Sequence, residues 1–270
     1  MRYIIVIIFL TSLFCSCEKV IDYDLENSES VIVIEATLTD SKDPFTVTIT
    51  KTTPYFESSG SAQITGATVS VKADNGKQRY FTEVTPGVYQ LNKVFAAPRT
   101  WYTVFVEYNG TTYSARSYLN EFVPMVDCSL TYFDGFGFFD SGYKINCFIK
   151  DPPNVENYYQ IKMYVDGKVV NNEGEIDVYS DKLFDGKVIG LVQNSSVVFD
   201  KDDTVVVEVQ AIDKAAYDYF STLESISGLE IVQSASPSNP ISNFDNGALG
   251  YFSAYSYDRR TIIISDFINK

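Results

Sequence analysis

Residues 101 to 118, WYTVFVEYNGTTYSARSY, alternate apolar and polar side chains on both sides of one Asn-Gly pair. Alternation with period two is the pattern of a half-buried strand. Asn-Gly accepts positive φ at both central positions of a two-residue turn, so the stretch reads as a β-hairpin. Its centre pairs Val106 with Tyr113 and Val104 with Ala115. Asn75-Gly76 and Asp166-Gly167 carry the same signal, and the latter pairs Met163 with Val170. Further short runs alternate in the same way: Ile32, Ile34, Ala36 and Leu38; Phe45, Val47 and Ile49; Val69 and Val71; Val205, Val207, Val209 and Ala211.

Strands at short spacing with turn signals between them argue for β-sandwich packing. The 20 Tyr and 19 Phe suit strands better than helices. The alternation breaks at residues 120–124. That places a first sandwich over residues 31–122 and a second, β-rich unit over 123–270. Within the second unit, strands are expected over 126–133, 143–149 and near 261–264. One helix is expected near 213–226, with Asp213 as its N-cap, Ala216, Phe220 and Leu223 as its apolar stripe, and Gly228 beyond its end.

The N-terminus has a different character. Arg2 precedes residues 4–14, IIVIIFLTSLF, which carry no charge. The run is too short to span a bilayer core as a helix, which takes about 20 residues. A short positive region, a short apolar region and small residues make a secretory signal. Cys15 and Ser16 are small and precede Cys17, whereas bulky Phe14 precedes Cys15. Phe14-Cys15-Ser16-Cys17 therefore resembles a bacterial lipobox. The resemblance implies removal of residues 1–16 and acylation of Cys17, whose chains would hold the protein on a bilayer at about 0.8 kcal/mol per buried methylene. Residues 17–30, polar and acidic, then read as a solvated tether.

Composition excludes several function classes. The chain has 21 Lys plus Arg against 35 Asp plus Glu, a net charge of −14. Such a surface repels nucleic acid. The count of histidines is 0, which removes Ser-His-Asp, Cys-His and His-metal chemistry together.

Residues 64–92, ITGATVSVKADNG…TPGVYQL, followed by WYTVFVEYNGTTYSA, are similar to the small Ig-like or transthyretin-like domains of cell surfaces. The whole chain resembles a Bacteroidota lipoprotein family known as domain of unknown function forty-two forty-nine. The resemblance rests on the lipobox, "VIVIEATLTD", "KTTPYF", "DPPNVENYYQIKMYV", "SDKLFDGK", "AIDKAAYDYFSTLES" and "NPISNFDNGALGYFSAYS". It implies an outer-membrane lipoprotein, encoded beside a TonB-dependent β-barrel receptor and partnering it. The face is open between periplasm and cell surface; Glu18-Lys19 followed by Asp22 and Asp24, just after the acylated cysteine, points to the surface. No catalytic residue is known for that family. The expectation is therefore a non-enzymatic accessory or ligand-capture subunit with no cofactor and no metal. The alternatives are a surface adhesion module and a carboxylate-dependent glycan hydrolase.

Several residues invite a chemical reading. Ser141 and Lys144 fit S-x-x-K, but that chemistry needs Ser at a helix start, and here it precedes a strand. Asp200, Asp202 and Asp203, and likewise Asp177, Asp181 and Asp185, offer carboxylates to calcium. They lack the spacing of a known calcium loop and read as solvated acidic turns. Cys128 and Cys147 lie equidistant from a turn centred between Gly137 and Phe138, on the face of Leu130 and Ile145. Exported proteins form disulfides, and the expectation is a disulfide; the alternative is two buried thiols acting as small hydrophobes. Between them, Phe133, Phe136, Phe138, Phe139 and Tyr143 crowd a glycine-rich loop. These aromatics either contact a partner or ligand or plug the end of the sandwich. Tyr251, Phe252, Tyr255 and Tyr257 suit either a core strand or a ligand platform.

Overall fold

The computed structural model describes residues 30–53, 62–92, 96–137, 140–170, 176–192, 197–229 and 239–268. Cys17, the signal and the tether up to residue 29 lie outside the described residues, as do Phe138 and Phe139. The first strands are β1 (Ile32–Thr39), β2 (Phe45–Lys51), β3 (Ala62–Gln63), β4 (Thr68–Ala73), β5 (Arg79–Tyr80), β6 (Thr82–Thr85), β7 (Val88–Leu91), β8 (Thr100–Tyr108) and β9 (Thr111–Leu119). There follow β10 (Met125–Phe133), β11 (Gly142–Lys150), β12 (Tyr158–Val165), β13 (Lys168–Val169), β14 (Asp177–Ser180), β15 (Val188–Val192) and β16 (Thr204–Ile212). Helix α1 (Lys214–Leu229), the long β17 (Leu249–Ile263) and the short α2 (Ile264–Ile268) complete the chain.

One sheet runs through the whole molecule in the order β13-β12-β16-β17-β1-β2-β7-β6, with β14 beside β12 and β3 beside β2. Two smaller sheets cover it. Sheet β5-β4-β8-β9 closes a first sandwich, whose core includes Ile34, Leu38, Phe45, Val106, Leu119 and Phe252. Sheet β10-β11-β15 closes a second, around Met125, Ile145, Tyr159, Met163 and Val207. The fold is thus mainly β and built of two sandwiches, as the alternation predicts.

Strand β17 belongs to both. Leu249–Tyr255 pairs in parallel with Val33–Thr39 of β1, and Ser256–Ile263 pairs antiparallel with β16. The expected boundary at 122–123 falls between β9 and β10. The chain crosses it a second time at its end, because Phe244, Ala248, Phe252 and Ala254 pack in the first core. The aromatic run 251–257 and the strand expected near 261–264 are one continuous element.

Helix α1 lies on the reverse face of the long sheet. Ala216, Tyr219 and Phe220 pack on Tyr158 and Ile212, with Tyr251 and Tyr255 beside them. Asp213 caps the helix as expected. Its Oδ1 accepts the Ala216 N–H at 2.9 Å, while Oδ2 accepts the Tyr118 N–H of β9 at 3.0 Å. One buried carboxylate thereby starts the helix and ties it to the first sandwich. The helix passes through Gly228 to Leu229, further than the sequence suggests, since a helical glycine costs only about 1 kcal/mol against alanine.

Two of the three predicted hairpin turns have the expected geometry. Asn109 and Gly110 have φ of 48° and 78°, and Asp166 and Gly167 have 51° and 73°. Val106 faces Tyr113, and the Val170 N–H reaches the Met163 carbonyl at 2.8 Å. Asn75-Gly76 differs. The Gly76 N–H bonds the Ala73 carbonyl at 2.9 Å, so Asp74 and Asn75 are the central residues, and Gly76 ends the turn. Neither Asn75 nor Gly76 has positive φ, so no two-residue turn of the expected type forms there.

Gly250 controls the parallel pairing. It sits opposite Ile34 at φ +97°, and an added Cβ would lie 2.1 Å from the Ile34 carbonyl oxygen. That oxygen is backbone in the middle of a strand and cannot swing away. Gly250→Ala is expected to lower unfolding stability by about 3 kcal/mol or more. Urea denaturation followed by circular dichroism measures it, and a change under about 0.5 kcal/mol would refute the assigned pairing.

Candidate functional site

Strands β10 and β11 form a hairpin at the open edge of the second sandwich. Cys128 faces Cys147, Leu130 faces Ile145, and Tyr132 faces Tyr143, all on the inward side. The inward row is buried at its base: Cys147 and Ile145 lie in the core. Further along, the row outruns the sheet it packs against. Tyr132 is 53% exposed and meets the half-buried Tyr143 edge-on, ring centroids 5.0 Å apart. On the other side of the hairpin, the Lys144 ammonium lies 5.1 Å from the centroid of the Phe133 ring. At the tip Phe136, between Gly135 and Gly137 at positive φ, is 82% exposed.

The tip stands on a fixed base. Tyr143 exchanges both backbone hydrogen bonds with Phe199 at 2.9 Å, and Phe199 is buried. A Cβ on Gly142 would strike Val198 at 2.8 Å, so this crossing is close. Of the five aromatics singled out in the sequence, the structure brings Phe133, Phe136 and Tyr143 to one tip. It adds Tyr132, which sequence reasoning assigned to a plain strand.

The cysteine pair lies at the base of the same hairpin. The expected register holds, but the expected disulfide is absent: both thiols are free, with sulfurs 3.7 Å apart. Directly opposed strand residues hold their Cβ atoms about 4.5–5.5 Å apart, wider than the roughly 3.8 Å of a typical disulfide. The thiol–thiol hydrogen bond lowers Cys128 to about 7, and the Arg260 guanidinium contributes. The same bond, with burial, pushes Cys147 up. Arg260 is held in place by the Met125 carbonyl.

The other candidates separate clearly. Ser141 sits in the loop before β11 and not at a helix start, so it lacks the setting that S-x-x-K chemistry needs. Asp203 Oδ2 accepts the Asp200 N–H at 2.8 Å in an exposed turn, as expected of a solvated acidic loop. Asp177 is set apart, in β14 opposite Ile161. Asp181 and Asp185, however, converge with Asp151, which sequence reasoning missed. Asp151 and Asp181 are sealed from solvent, so this group is not placed to flank a glycosidic bond. Phe252 is core, Tyr251 and Tyr255 pack under α1, and the Tyr257 hydroxyl donates to Asp43 at 2.8 Å, so the expected platform is mostly covered. An open cleft of about 500 Å³ lies elsewhere, beside the β8–β9 turn, and is lined by Thr65, Glu107, Tyr108 and Thr112. Among the described residues, no helix is long and apolar enough to cross a membrane.

These features define a two-sandwich β-protein that presents an aromatic hairpin. The chain belongs to the family described as domain of unknown function DUF4249, whose model matches residues 18–261. No curated protein matches it. Among solved structures it is similar to a segment of two fibronectin type-III domains from chicken tenascin, at 12% identity and a TM-score of 0.21, over 68% of this chain and 91% of that one.

The unequal thiols carry a test. At neutral pH, a maleimide should label Cys128 before Cys147, and its rate should rise as pH climbs through about 7, because the thiolate is the nucleophile. Mass mapping after timed quenching reads both sites. Equal labelling of the two, or none before unfolding, would contradict the assigned asymmetry.

Proposed function

We propose that this protein is an outer-membrane lipoprotein, anchored through acylated Cys17 and exposed at the cell surface. In this reading it serves a TonB-dependent β-barrel receptor as a non-enzymatic accessory or ligand-capture subunit, and the β10–β11 tip makes the contact. One observation carries the contact surface: Phe136, at 82% exposure, tops a hairpin fixed at its base. A large apolar side chain held out in water costs solvation without return in the isolated protein, and such residues concentrate at binding surfaces. Tyr132 and Tyr143 extend the apolar surface from the tip toward the core.

Other features support the assignment. The lipobox residues Phe14 to Cys17 supply the anchor. A sequence without histidine fits a binding role better than an acid–base enzyme. The receptor as partner rests on the family resemblance of the sequence.

The test is a pull-down through a C-terminal tag from native membranes in mild detergent, comparing wild type, Cys17→Ala and Phe136→Ser. Wild type should bring down a TonB-dependent barrel. Cys17→Ala should appear in the soluble fraction. Phe136→Ser should keep its stability within about 0.5 kcal/mol, as an exposed substitution does, and recover markedly less barrel. An anchored wild type that comes down alone would overturn the accessory reading and favour surface adhesion. Collapse of Phe136→Ser would instead mark the tip as a structural plug.

A further inference from the structure

Three carboxylates meet between the end of β11 and the turn from β14 to β15. Oxygens of Asp151, Asp181 and Asp185 all lie within 4.8 Å of one another. Asp151 is 0% exposed and Asp181 4%, while Asp185 opens to solvent. Among the described residues, every donor that reaches them is neutral. The Tyr159 hydroxyl donates to Asp151 Oδ1 at 2.5 Å, and the Gly186 N–H to Oδ2 at 2.9 Å. The Asn154 N–H donates to Asp185 Oδ1 at 2.8 Å. Among the described residues, no Lys or Arg forms an ion pair with any of the three. Buried charge without a counter-charge is costly, and here two such charges are adjacent.

Asn157 supplies an independent observation. Its N–H donates to Asp181 Oδ2 at 2.9 Å, and its carbonyl accepts the Asp181 N–H at 3.1 Å, so the residue is clamped against the cluster. The residue is 7% exposed, and its side-chain oxygen is buried with no hydrogen-bond donor among the described residues. A residue whose backbone touches Asp181 thus carries an unpartnered buried amide oxygen, and with the three carboxylates it makes a surplus of acceptors, all of them hard oxygens. A divalent cation that prefers oxygen meets both needs at once.

We propose that Asp151, Asp181, Asp185 and the side-chain oxygen of Asn157 form a calcium site that clips the β11–β12 loop to the turn before β15. Calcium takes six to eight oxygens in flexible geometry, and water on the open side at Asp185 completes the set. Magnesium is the weaker fit, because it usually takes one or two carboxylates and keeps most of its water.

The full chain, stripped with chelator, is titrated with calcium chloride by calorimetry, and its thermal unfolding is followed in calcium and in chelator. Saturable one-site binding and a higher Tm in calcium are expected. Asp185→Asn, at an exposed position, removes one of three like charges, so it should not lower the Tm in chelator and should weaken binding about tenfold or more. Terbium should luminesce when excited through tyrosine, because Tyr159 touches Asp151, and calcium should quench it by displacement. Absence of heat and of any Tm shift at millimolar calcium overturns the site. So does unaltered binding in Asp185→Asn, and an equal response to magnesium overturns the assignment to calcium.

Discussion

The parallel pairing of β1 with the first half of β17 is the constraint on which the rest of the structure depends. It joins residues near the two ends of the described chain, and it leaves the second half of β17 free to pair with β16. Without it, the first sandwich loses Phe252 and Ala254 from its core, and the two sandwiches lose their common sheet. Side-chain bonds reinforce the seam. Asn243 brackets Phe252 through both its backbone groups at 2.8 Å. Asp245 takes the Ser114 N–H and hydroxyl at 2.6 Å, and the Ala254 N–H reaches Ser117 Oγ at 2.8 Å. Each of these ties residues after 240 to β17 or to β9, and hence to the first sandwich.

Much of this architecture is legible in the sequence where the cause is local. Strand alternation, the turns at Asn109-Gly110 and Asp166-Gly167, the cap at Asp213 and the opposition of Cys128 to Cys147 all follow from neighbouring residues. The β1–β17 pairing does not, because parallel strands joined through the whole chain share no turn to set their register. Gly250 is its one local trace, since a glycine inside a strand pattern signals close backbone approach. Asn75-Gly76 misleads for the opposite reason. A good turn pair is overridden when β4 takes β8 as its main partner and leaves β5 only two residues long.

The candidate sites divide along the same line. Exposed Phe136 is legible, because a glycine-rich loop cannot bury every aromatic it carries. Tyr132 is not, because its exposure depends on where the opposing sheet stops. The acidic group shows the limit most clearly. Asp181 and Asp185 stand out as carboxylates near each other in sequence, yet Asp177, which shares their spacing, sits apart in β14 opposite Ile161. Its place is taken by Asp151, which arrives from the end of β11. Only the sandwich topology brings β11 beside the β14–β15 turn, and no spacing rule encodes that.

The proposed anchor and the fold also fit together mechanically. In the proposed reading the tether from Cys17 precedes β1, which is not an edge: β2 lies on one side and β17 on the other. A pull along the tether would load both ladders in shear along their whole length, where many hydrogen bonds share the strain. An edge strand would instead peel from its single neighbour. Because β17 continues into the second sandwich, the same load passes to β16 and the body that carries the β10–β11 tip. The strand that unites the two cores is therefore also the one that would connect a lipid anchor to a contact surface at the far sandwich.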